Sequence, residues 1–209
     1  IIFCNYKNSL ERISDFLKNN EIDHQCFHGG MEQVDRERTL IKFRNGTNQL
    51  LLATDLAARG LDIPEIKFIL HYHLPIHNKE FTHRNGRTAR MNQDGVAYII
   101  KWKEDELPDF IKNIKPETIS FDKLKPKINT EKPKWETLYI SGGRRDKISK
   151  GDILGLLVKQ GKITNDKVGV IEIKQICSYV AVSASVTKKL IEKTNNSKLK
   201  KKKVRISII

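Results

Sequence analysis

The chain has 209 residues, of which 38% are hydrophobic and 31% charged, and its formal net charge at pH 7 is +14. Residues 134–209 carry 18 Lys and Arg against 6 Asp and Glu, a net of +12, whereas residues 1–133 carry a net of only +2. No apolar run is long enough for a membrane span, and the three cysteines include no Cys-x-x-Cys pair. These features argue against a membrane protein, a disulfide framework and a zinc finger, and favour a cytoplasmic protein with a polyanion as partner.

The first hundred residues alternate short apolar runs with helical patterns. The run "IIFC" predicts a buried strand, and a capping signal at Asn8 to Glu11 predicts a helix that ends near Lys18. "HQCF" predicts a second strand and residues 32–44 a second helix. "QLLLAT", "IKFILHYH" and "GVAYIIKW" predict three more strands. Strands without strict alternation, separated by helices, indicate a parallel sheet with helices on both faces, where ligands gather at the carboxyl ends of the strands.

The composition changes after the fifth predicted strand. Three prolines interrupt a charged segment over residues 115–133, which is typical of a linker. Beyond it the predicted order is β-α-β-β-α-β, with helices over 152–160 and 184–193. Ser149 followed by Asp152 is a capping signal for the first of these helices. That order predicts a small ferredoxin-like α+β sandwich, a fold that frequently binds RNA. We therefore predict two domains, over residues 1–114 and 134–209.

Three segments of the first predicted domain suit the binding of phosphates. "HGGMEQVDRERTL" places two glycines before a helix, so that its backbone can approach an anion closely. "LLATDLAARGLDI" ends a buried strand at Thr54 with a hydroxyl, carboxylates and an arginine. In "HRNGRTAR" the residues Arg87 and Arg90 are three positions apart and can point at one anionic group. Each segment alone also fits an ordinary turn or a solvated face.

In this order and spacing, the segments resemble motifs of the C-terminal RecA-like lobe of the DEAD-box RNA helicases. "IIFCN" resembles motif IV, Gln33 and Arg36 the Gln-x-x-Arg motif, "ATDLAARGLD" motif V and "HRNGRTAR" motif VI. The resemblance covers residues 1 to about 114. It implies an ATP-dependent RNA helicase in which a preceding lobe, with a P-loop, holds most of the ATP and Mg²⁺.

The resemblance also implies roles for individual residues. Arg87 and Arg90 would be arginine fingers on the γ-phosphate, and His83 would couple them to the preceding lobe. Asp62 and Gly60 would contact ATP. The RNA backbone and its link to the ATP site would fall to the following residues: Gly29, Arg36, Thr54 and Arg59.

Parts of the expected site are missing from the sequence. "GLLVKQGKI" is similar to a P-loop, but five residues separate its glycines and Ile163 stands where Ser or Thr must bind Mg²⁺. We therefore expect the chain to be part of a longer protein and to be inactive alone. His71 and His73 share a strand face without further ligands, so no metal site is predicted. Two departures from motif VI, Asn85 and Ala89, leave its arginines in place, and Tyr6 departs from motif IV.

The second predicted domain contains "TLYISGGRRDKISKGDILGLL" and "SYVAVS". Through these segments it resembles, over about residues 134–209, the RRM-like RNA-binding domain of the DbpA-type DEAD-box proteins. That resemblance implies structured RNA as partner, large-subunit ribosomal RNA in particular, and a role in ribosome assembly. Tyr139 and Tyr179 would stack on bases, although both tyrosines also fit simple packing in the sheet. Two basic loops would contact phosphates through these residues: Arg144, Arg145, Lys147, Lys150, Lys201 and Lys202.

Two other functions fit parts of the sequence. A non-catalytic RNA-binding scaffold would use the same basic domain beside a RecA-like lobe that hydrolyses nothing. A DNA helicase of the same superfamily would share the lobe, but the RRM-like domain argues against it. A P-loop and an Asp-Glu-Ala-Asp box upstream of Ile1 would separate the enzyme from the scaffold.

Overall fold

A computed structural model describes residues 1–55, 66–88, 95–124 and 132–209. Contacts group the chain into two compact units: unit 1 comprises residues 1–30 and 50–131, and unit 2 comprises residues 31–49 and 132–209. The helix α2 (Gln33–Arg44) therefore belongs to unit 2 by its contacts, whereas the sequence placed it in a first domain. The predicted boundaries at 114 and 134 stay a prediction.

Unit 1 is built on a parallel sheet to which the described residues contribute five strands. In chain order these are β1 (Ile2–Cys4), β2 (Gln25–Phe27), β3 (Leu51–Thr54), β4 (Phe68–His71) and β5 (Val96–Ile99). They lie side by side in the order β2-β3-β1-β4-β5, and every neighbouring pair is parallel. The prediction of a parallel α/β sheet is confirmed.

The helices of unit 1 include α1 (Lys7–Asn19), α3 (Asn78–Asn85) and α4 (Asp109–Lys112). Helix α1 packs Leu10 and Leu17 against Cys4 and Leu52 of the sheet. The helix itself is confirmed, but the predicted capping signal is wrong. The cap position is Tyr6 and no side chain caps the helix, because Asn8 already lies inside the first turn.

Unit 2 contains a four-stranded antiparallel sheet within residues 132–209, all of which are described. The sheet order is β11-β6-β8-β7, formed by β6 (Trp135–Ile140), β7 (Val168–Ile173), β8 (Ser178–Ser183) and β11 (Ile206–Ile208). Helices α5 (Lys150–Gly155), which continues as a π-helical turn to Gln160, and α6 (Thr187–Thr194) follow β6 and β8. The predicted β-α-β-β-α-β sandwich is confirmed.

Two local features of unit 2 compare directly with the sequence. Ser149 and Asp152 form the predicted capping box, since Asp152 N–H donates to Ser149 Oγ at 3.2 Å and Ser149 N–H donates to Asp152 Oδ2 at 2.9 Å. The run "KLKKKK" was not predicted to fold, yet it forms a hairpin of β9 (Lys198–Leu199) and β10 (Lys202–Lys203).

The two faces of the antiparallel sheet differ, because side chains alternate along each strand. The inner face supplies Leu138, Ile140, Val180 and Val182 to a core completed by the helices. Across the β6–β8 pair, the register sets Thr137 opposite Ala181 and Tyr139 opposite Tyr179 on the outer face. Among the described residues, no helix is both long enough and apolar enough to cross a membrane.

Candidate functional site

The carboxyl ends of β1, β3 and β4 are connected by one arginine of α3. Arg84 Nε donates to Asp55 Oδ1 at 2.6 Å, and its Nη2 donates to Asp55 Oδ2. Nη2 also donates to Asn5 Oδ1 at 2.7 Å, while Nη1 donates to the His73 carbonyl oxygen at 2.7 Å. Asn5, Asp55 and His73 each lie just beyond the end of a strand. Helix α3, whose last three residues begin the segment "HRNGRTAR", is therefore tied to the sheet edge where ligands of parallel sheets bind.

The environment of Arg84 makes this connection rigid. The side chain of Arg84 is 1% exposed and that of Asp55 is 26% exposed. A buried guanidinium needs a carboxylate in two-point geometry and partners for its remaining N–H groups, and both conditions are met here. The guanidinium also lies over the Phe3 ring, with its carbon 5.1 Å from the ring centroid.

His71 completes the buried polar cluster. Its Nε2 pairs with Asn85 Oδ1 at 2.9 Å, and its Nδ1 faces Arg84 Nη1 at 3.4 Å. Because an arginine can only donate, Nδ1 must accept and the proton must sit on Nε2. Burial lowers the pKa of His71 to about 4, so the imidazole is neutral at pH 7. A second positive charge beside Arg84 is thereby avoided.

The structure describes only some of the residues that the sequence predicts to contact the nucleotide. His83 is exposed on α3, and Arg87 is half-buried just beyond the helix. The Arg87 backbone is fixed at both polar groups, since its N–H donates to Arg84 O at 3.1 Å and its carbonyl oxygen accepts from Ile66 N–H at 3.2 Å. The other predicted residues lie outside the described part of the chain: Arg59, Gly60, Asp62 and Arg90.

The structure describes three of the residues in the motif segments that are predicted to contact RNA. Thr54 lies at the end of β3 and is 8% exposed. Gly29 is exposed, and a β-carbon added there would meet no atom within 4 Å. Packing therefore does not require glycine at this position, and the space above it is open to a ligand. Arg36 is half-buried on α2.

The sequence did not predict the buried cluster that Arg84 forms with Asp55 and His71. Arginine is rarely buried, so the sequence predicts functional roles for Arg87 and Arg90 but no buried role for Arg84. A signal was present, because Asp55 directly follows a strongly apolar strand. A carboxylate at such a strand end requires a positively charged partner nearby.

The two basic loops of unit 2 form one surface, although they are far apart in the sequence. Lys202 Nζ donates to Asp146 Oδ2 at 2.9 Å, and Lys200 Nζ lies 2.9 Å from Asp152 Oδ1. The pKa of Asp146 is lowered by the Gly143 backbone N–H and then by Lys202. The pKa of Asp152 is lowered to about 2 by Ser149 and then by Lys200. Both carboxylates stay charged at neutral pH and keep the loops together.

The predicted phosphate contacts on this surface differ in availability. Most of them are exposed, whereas Lys202 is partly buried and engaged by Asp146. The backbones of Lys147 and Lys200 lie in the left-handed region, with φ of 57° and 55°. The exposed residues of the predicted set are Arg144, Arg145, Lys147, Lys150 and Lys201.

Glycine at position 143 sets the position of the first basic loop. Arg144 N–H donates to Lys174 O at 2.9 Å, and Arg145 N–H donates to Gln175 O at 3.0 Å. A β-carbon on Gly143 would lie 2.5 Å from Lys174 O and 2.7 Å from Cys177 N. Only glycine allows the loop to lie this close to the turn between β7 and β8.

A groove of about 740 Å³ adjoins the joined basic loops. It runs along β11 and the β9–β10 hairpin and combines positive charge with an aromatic ring and polar groups. Its lining includes Tyr139, Ile176, Lys202, Lys203, Arg205 and Ser207. This combination suits a nucleic acid strand, whose phosphates need cations and whose bases need a flat apolar surface.

The two tyrosines predicted to stack on bases are adjacent but differ in exposure. Their ring centroids are 5.8 Å apart, with an interplanar angle of 62°. Tyr139 is partly exposed beside the groove, whereas Tyr179 is 4% exposed. Burial is the largest cause that raises the pKa of the Tyr179 hydroxyl, and the positive charge of Arg38 on α2 opposes that rise. The stacking role of both tyrosines stays a prediction.

Comparison with protein families assigns both parts of the chain. A family model described as the helicase conserved C-terminal domain matches residues 1–92. A second model, the DbpA RNA binding domain, matches residues 137–208. The first match includes α2, and the second begins within β6.

Full-length relatives match the whole chain. The ATP-dependent RNA helicase DbpA of Escherichia coli (strain K12) is 32% identical over 222 residues, covering 100% of this chain and 46% of that protein. The ATP-dependent RNA helicase DbpA of Bacillus subtilis (strain 168) is 29% identical over 236 residues, covering 99% of this chain and 48% of that protein. The chain thus spans about half the length of these two relatives. Among solved structures, the yeast DEAD-box splicing factor Prp28 aligns with 32% sequence identity and a TM-score of 0.48. The alignment covers 55% of this chain and 25% of the Prp28 chain.

Proposed function

Because the chain belongs to the DEAD-box RNA helicases of the DbpA type and matches their C-terminal half, we propose that it supplies two parts of an ATP-dependent RNA helicase. The first part is a set of arginines that completes a nucleotide site. The second part is a basic domain that anchors structured RNA. The P-loop that holds most of the nucleotide would come from another lobe, since the chain contains no Gly-x-x-x-x-Gly-Lys-Ser/Thr sequence.

The nucleotide role is supported above all by the buried pair of Arg84 and Asp55. This pair fixes the end of α3, and Arg87 follows within one turn with both backbone polar groups bonded. An arginine finger must be pre-positioned, because reorganisation during the reaction would reduce its contribution. ATP with Mg²⁺ supplies the phosphoryl group that is transferred to water. We propose that Arg87 and Arg90 stabilise the charge on that group, that His83 couples them to the P-loop lobe, and that Asp62 and Gly60 contact the nucleotide.

The RNA role is supported by the joined basic loops and the groove beside them. Several exposed cations and a partly exposed tyrosine surround this groove, which fits phosphates and an unpaired base. We propose large-subunit ribosomal RNA as the structured RNA, and ribosome assembly in the cytoplasm as the setting. Gly29, Arg36, Thr54 and Arg59 would contact the RNA backbone near the nucleotide.

The test is ATP hydrolysis by residues 1–209 alone and by the full-length protein. The chain alone should hydrolyse ATP no faster than a protein-free blank, with or without RNA, because it lacks a P-loop. The full-length protein should show RNA-stimulated hydrolysis. Turnover by the chain alone would contradict the division of the site, and a full-length protein that binds RNA without any turnover would favour the scaffold.

A further inference from the structure

The outer face of the antiparallel sheet, which in RRM-like domains receives bases, is covered within unit 2 by helix α2 and the turn that follows it. Thr137, at the centre of this face, is fully buried. Its Oγ1 accepts a hydrogen bond from Asn45 Nδ2 at 3.0 Å and lies 2.7 Å from Thr47 Oγ1. A buried hydroxyl without a hydrogen-bond partner would be costly. The two hydrogen bonds of Thr137 therefore stabilise the contact between the sheet and the turn that follows α2.

Charged side chains frame the same contact. Lys174 pairs with Glu37 of α2 and, at 2.5 Å, with Glu172 of β7. Glu172 in turn pairs with Arg44 of α2 at 2.9 Å. Burial lowers the pKa of Lys174, but hydrogen bonds to Glu172 and Glu37 outweigh it, so the net shift is upward. Negative and positive side chains therefore alternate along the contact, and this order favours a single position of α2 along the sheet.

Backbone geometry adds a steric match. Gly46 ends α2 with φ of 72°, and a β-carbon there would point at Trp135 Cδ1 from 3.7 Å. Tyr179 is buried on the same face, close enough to Arg38 of α2 for its hydroxyl to feel that charge. Ala181, which lies opposite Thr137, is 2% exposed. A base cannot stack on Tyr179 while α2 lies in this position.

We propose that the outer sheet face is a docking surface for residues 37–47 of the same chain rather than a platform for RNA bases. RNA then binds along the sheet edge, in the groove beside Tyr139, and the α2 contact persists when RNA is bound. The sheet face of the RRM-like domain binds a segment of the chain that matches the helicase family model, and its basic loops bind RNA. This assignment is independent of whether ATP is hydrolysed.

The experiment locks the contact with a disulfide in the full chain. The double variant Thr47→Cys, Thr137→Cys brings two thiols to positions whose hydroxyls are 2.7 Å apart. Mild oxidation should join them in most molecules, as peptide mapping under non-reducing conditions will show. Each single variant, which keeps the three native cysteines, is the matched control for other pairings.

RNA affinity of the locked protein then decides which ligand the face holds. The probe is a fluorescent RNA stem–loop with a single-stranded extension, measured with the same double variant oxidised and reduced. We expect the two dissociation constants to agree within about twofold, since stacking of even one base is worth about fivefold or more. A loss of fivefold or more on oxidation, or RNA that prevents the cross-link, would assign the face to RNA. A cross-link no more frequent than in the single variants would show that α2 does not dock there.

Discussion

Arg84 and Asp55 are 29 positions apart in the sequence and form a two-point ion pair at the carboxyl edge of the parallel sheet. The pair joins the end of β3 to the end of α3, which brings together two of the segments that we propose to act at the nucleotide. Two segments that must act on the same phosphate gain from this arrangement, because a misplacement of about 1 Å can reduce a rate by about 100-fold.

Replacing Arg84 should strongly destabilise unit 1. Arg84→Ala leaves the partly buried Asp55 carboxylate without its partner and also removes the donor to Asn5 Oδ1 and the His73 carbonyl oxygen. Breaking a buried ion pair in this way costs about 3–5 kcal/mol. Urea unfolding at pH 7 measures the change in the free energy of unfolding. Lys79→Ala on the exposed side of the same helix is the control and should change it by less than about 0.5 kcal/mol. Equal stability of the two variants would mean that the pair contributes nothing.

Acid should destabilise unit 1 through His71. The unfolded imidazole binds a proton near its ordinary pKa of 6.5, whereas folded His71 resists protonation down to a pKa of about 4. The unfolded state therefore binds more protons between these values, and stability falls as the pH falls through that window. The contribution is about 2 kcal/mol at pH 5. His71→Gln should show a smaller loss between pH 7 and pH 5 than the native chain, whereas His77→Gln, an exposed control, should not differ from it.

Arg87 should be essential for hydrolysis but not for folding. In the full-length protein we expect Arg87→Ala to lower RNA-stimulated ATPase by about 10³-fold or more, the scale of an arginine finger. Affinity for RNA and the unfolding transition should change little. Steady-state ATPase with saturating RNA is the measurement, and Lys79→Ala is the control. Normal turnover by the Arg87 variant would assign Arg87 a structural role.

Gly143 should tolerate no side chain. Gly143→Ala places a methyl group 2.5 Å from the Lys174 carbonyl oxygen, which belongs to the backbone and cannot rotate away. We expect a loss of about 1–3 kcal/mol in thermal or urea unfolding of unit 2. Gly151→Ala is the matched control, because its β-carbon would meet nothing nearer than Ser149 Oγ at 3.8 Å and alanine favours a helix. If both variants had the same free energy of unfolding, the close approach at Gly143 would contribute nothing to stability.

The salt dependence of RNA binding should depend on the exposed cations. Replacing Arg144, Arg145 and Lys201 with alanine should flatten the slope of log K against log salt by about 2–3 units, at roughly 0.7–0.9 per phosphate contact. Lys202→Ala should flatten it less, since Asp146 already engages that lysine. Fluorescence anisotropy at several salt concentrations measures both. An unchanged slope in the triple variant would place RNA elsewhere.

The sequence predicted most of the fold because its apolar runs are strong local signals. β3 is fully buried and reads as "LLAT" without interruption, and the Ser149–Asp152 capping box needs only its own four residues. The predicted cap of α1 failed because a capping signal does not specify which of several polar residues stands at the boundary. The β9–β10 hairpin was missed because lysine runs usually indicate a solvated segment.

Long-range partners could not be read from the sequence. The partner of Arg84 is fixed by the order of strands in the sheet, and no local pattern states that β3 lies beside β1. The contact of Thr137 with Asn45 joins positions 92 residues apart, so it could not be anticipated either.

Lys147 and Lys200 hold a backbone conformation that glycine adopts at little cost. A left-handed φ costs a residue with a β-carbon about 1–2 kcal/mol. Glycine would remove that cost at Lys147, whereas at Lys200 it would also remove the ion pair with Asp152. Glycine at position 147 would also remove a cation from the surface that we propose binds RNA. Selection for thermal stability alone would thus weaken RNA binding through position 147, and variants isolated for heat resistance should include glycine there with reduced RNA affinity.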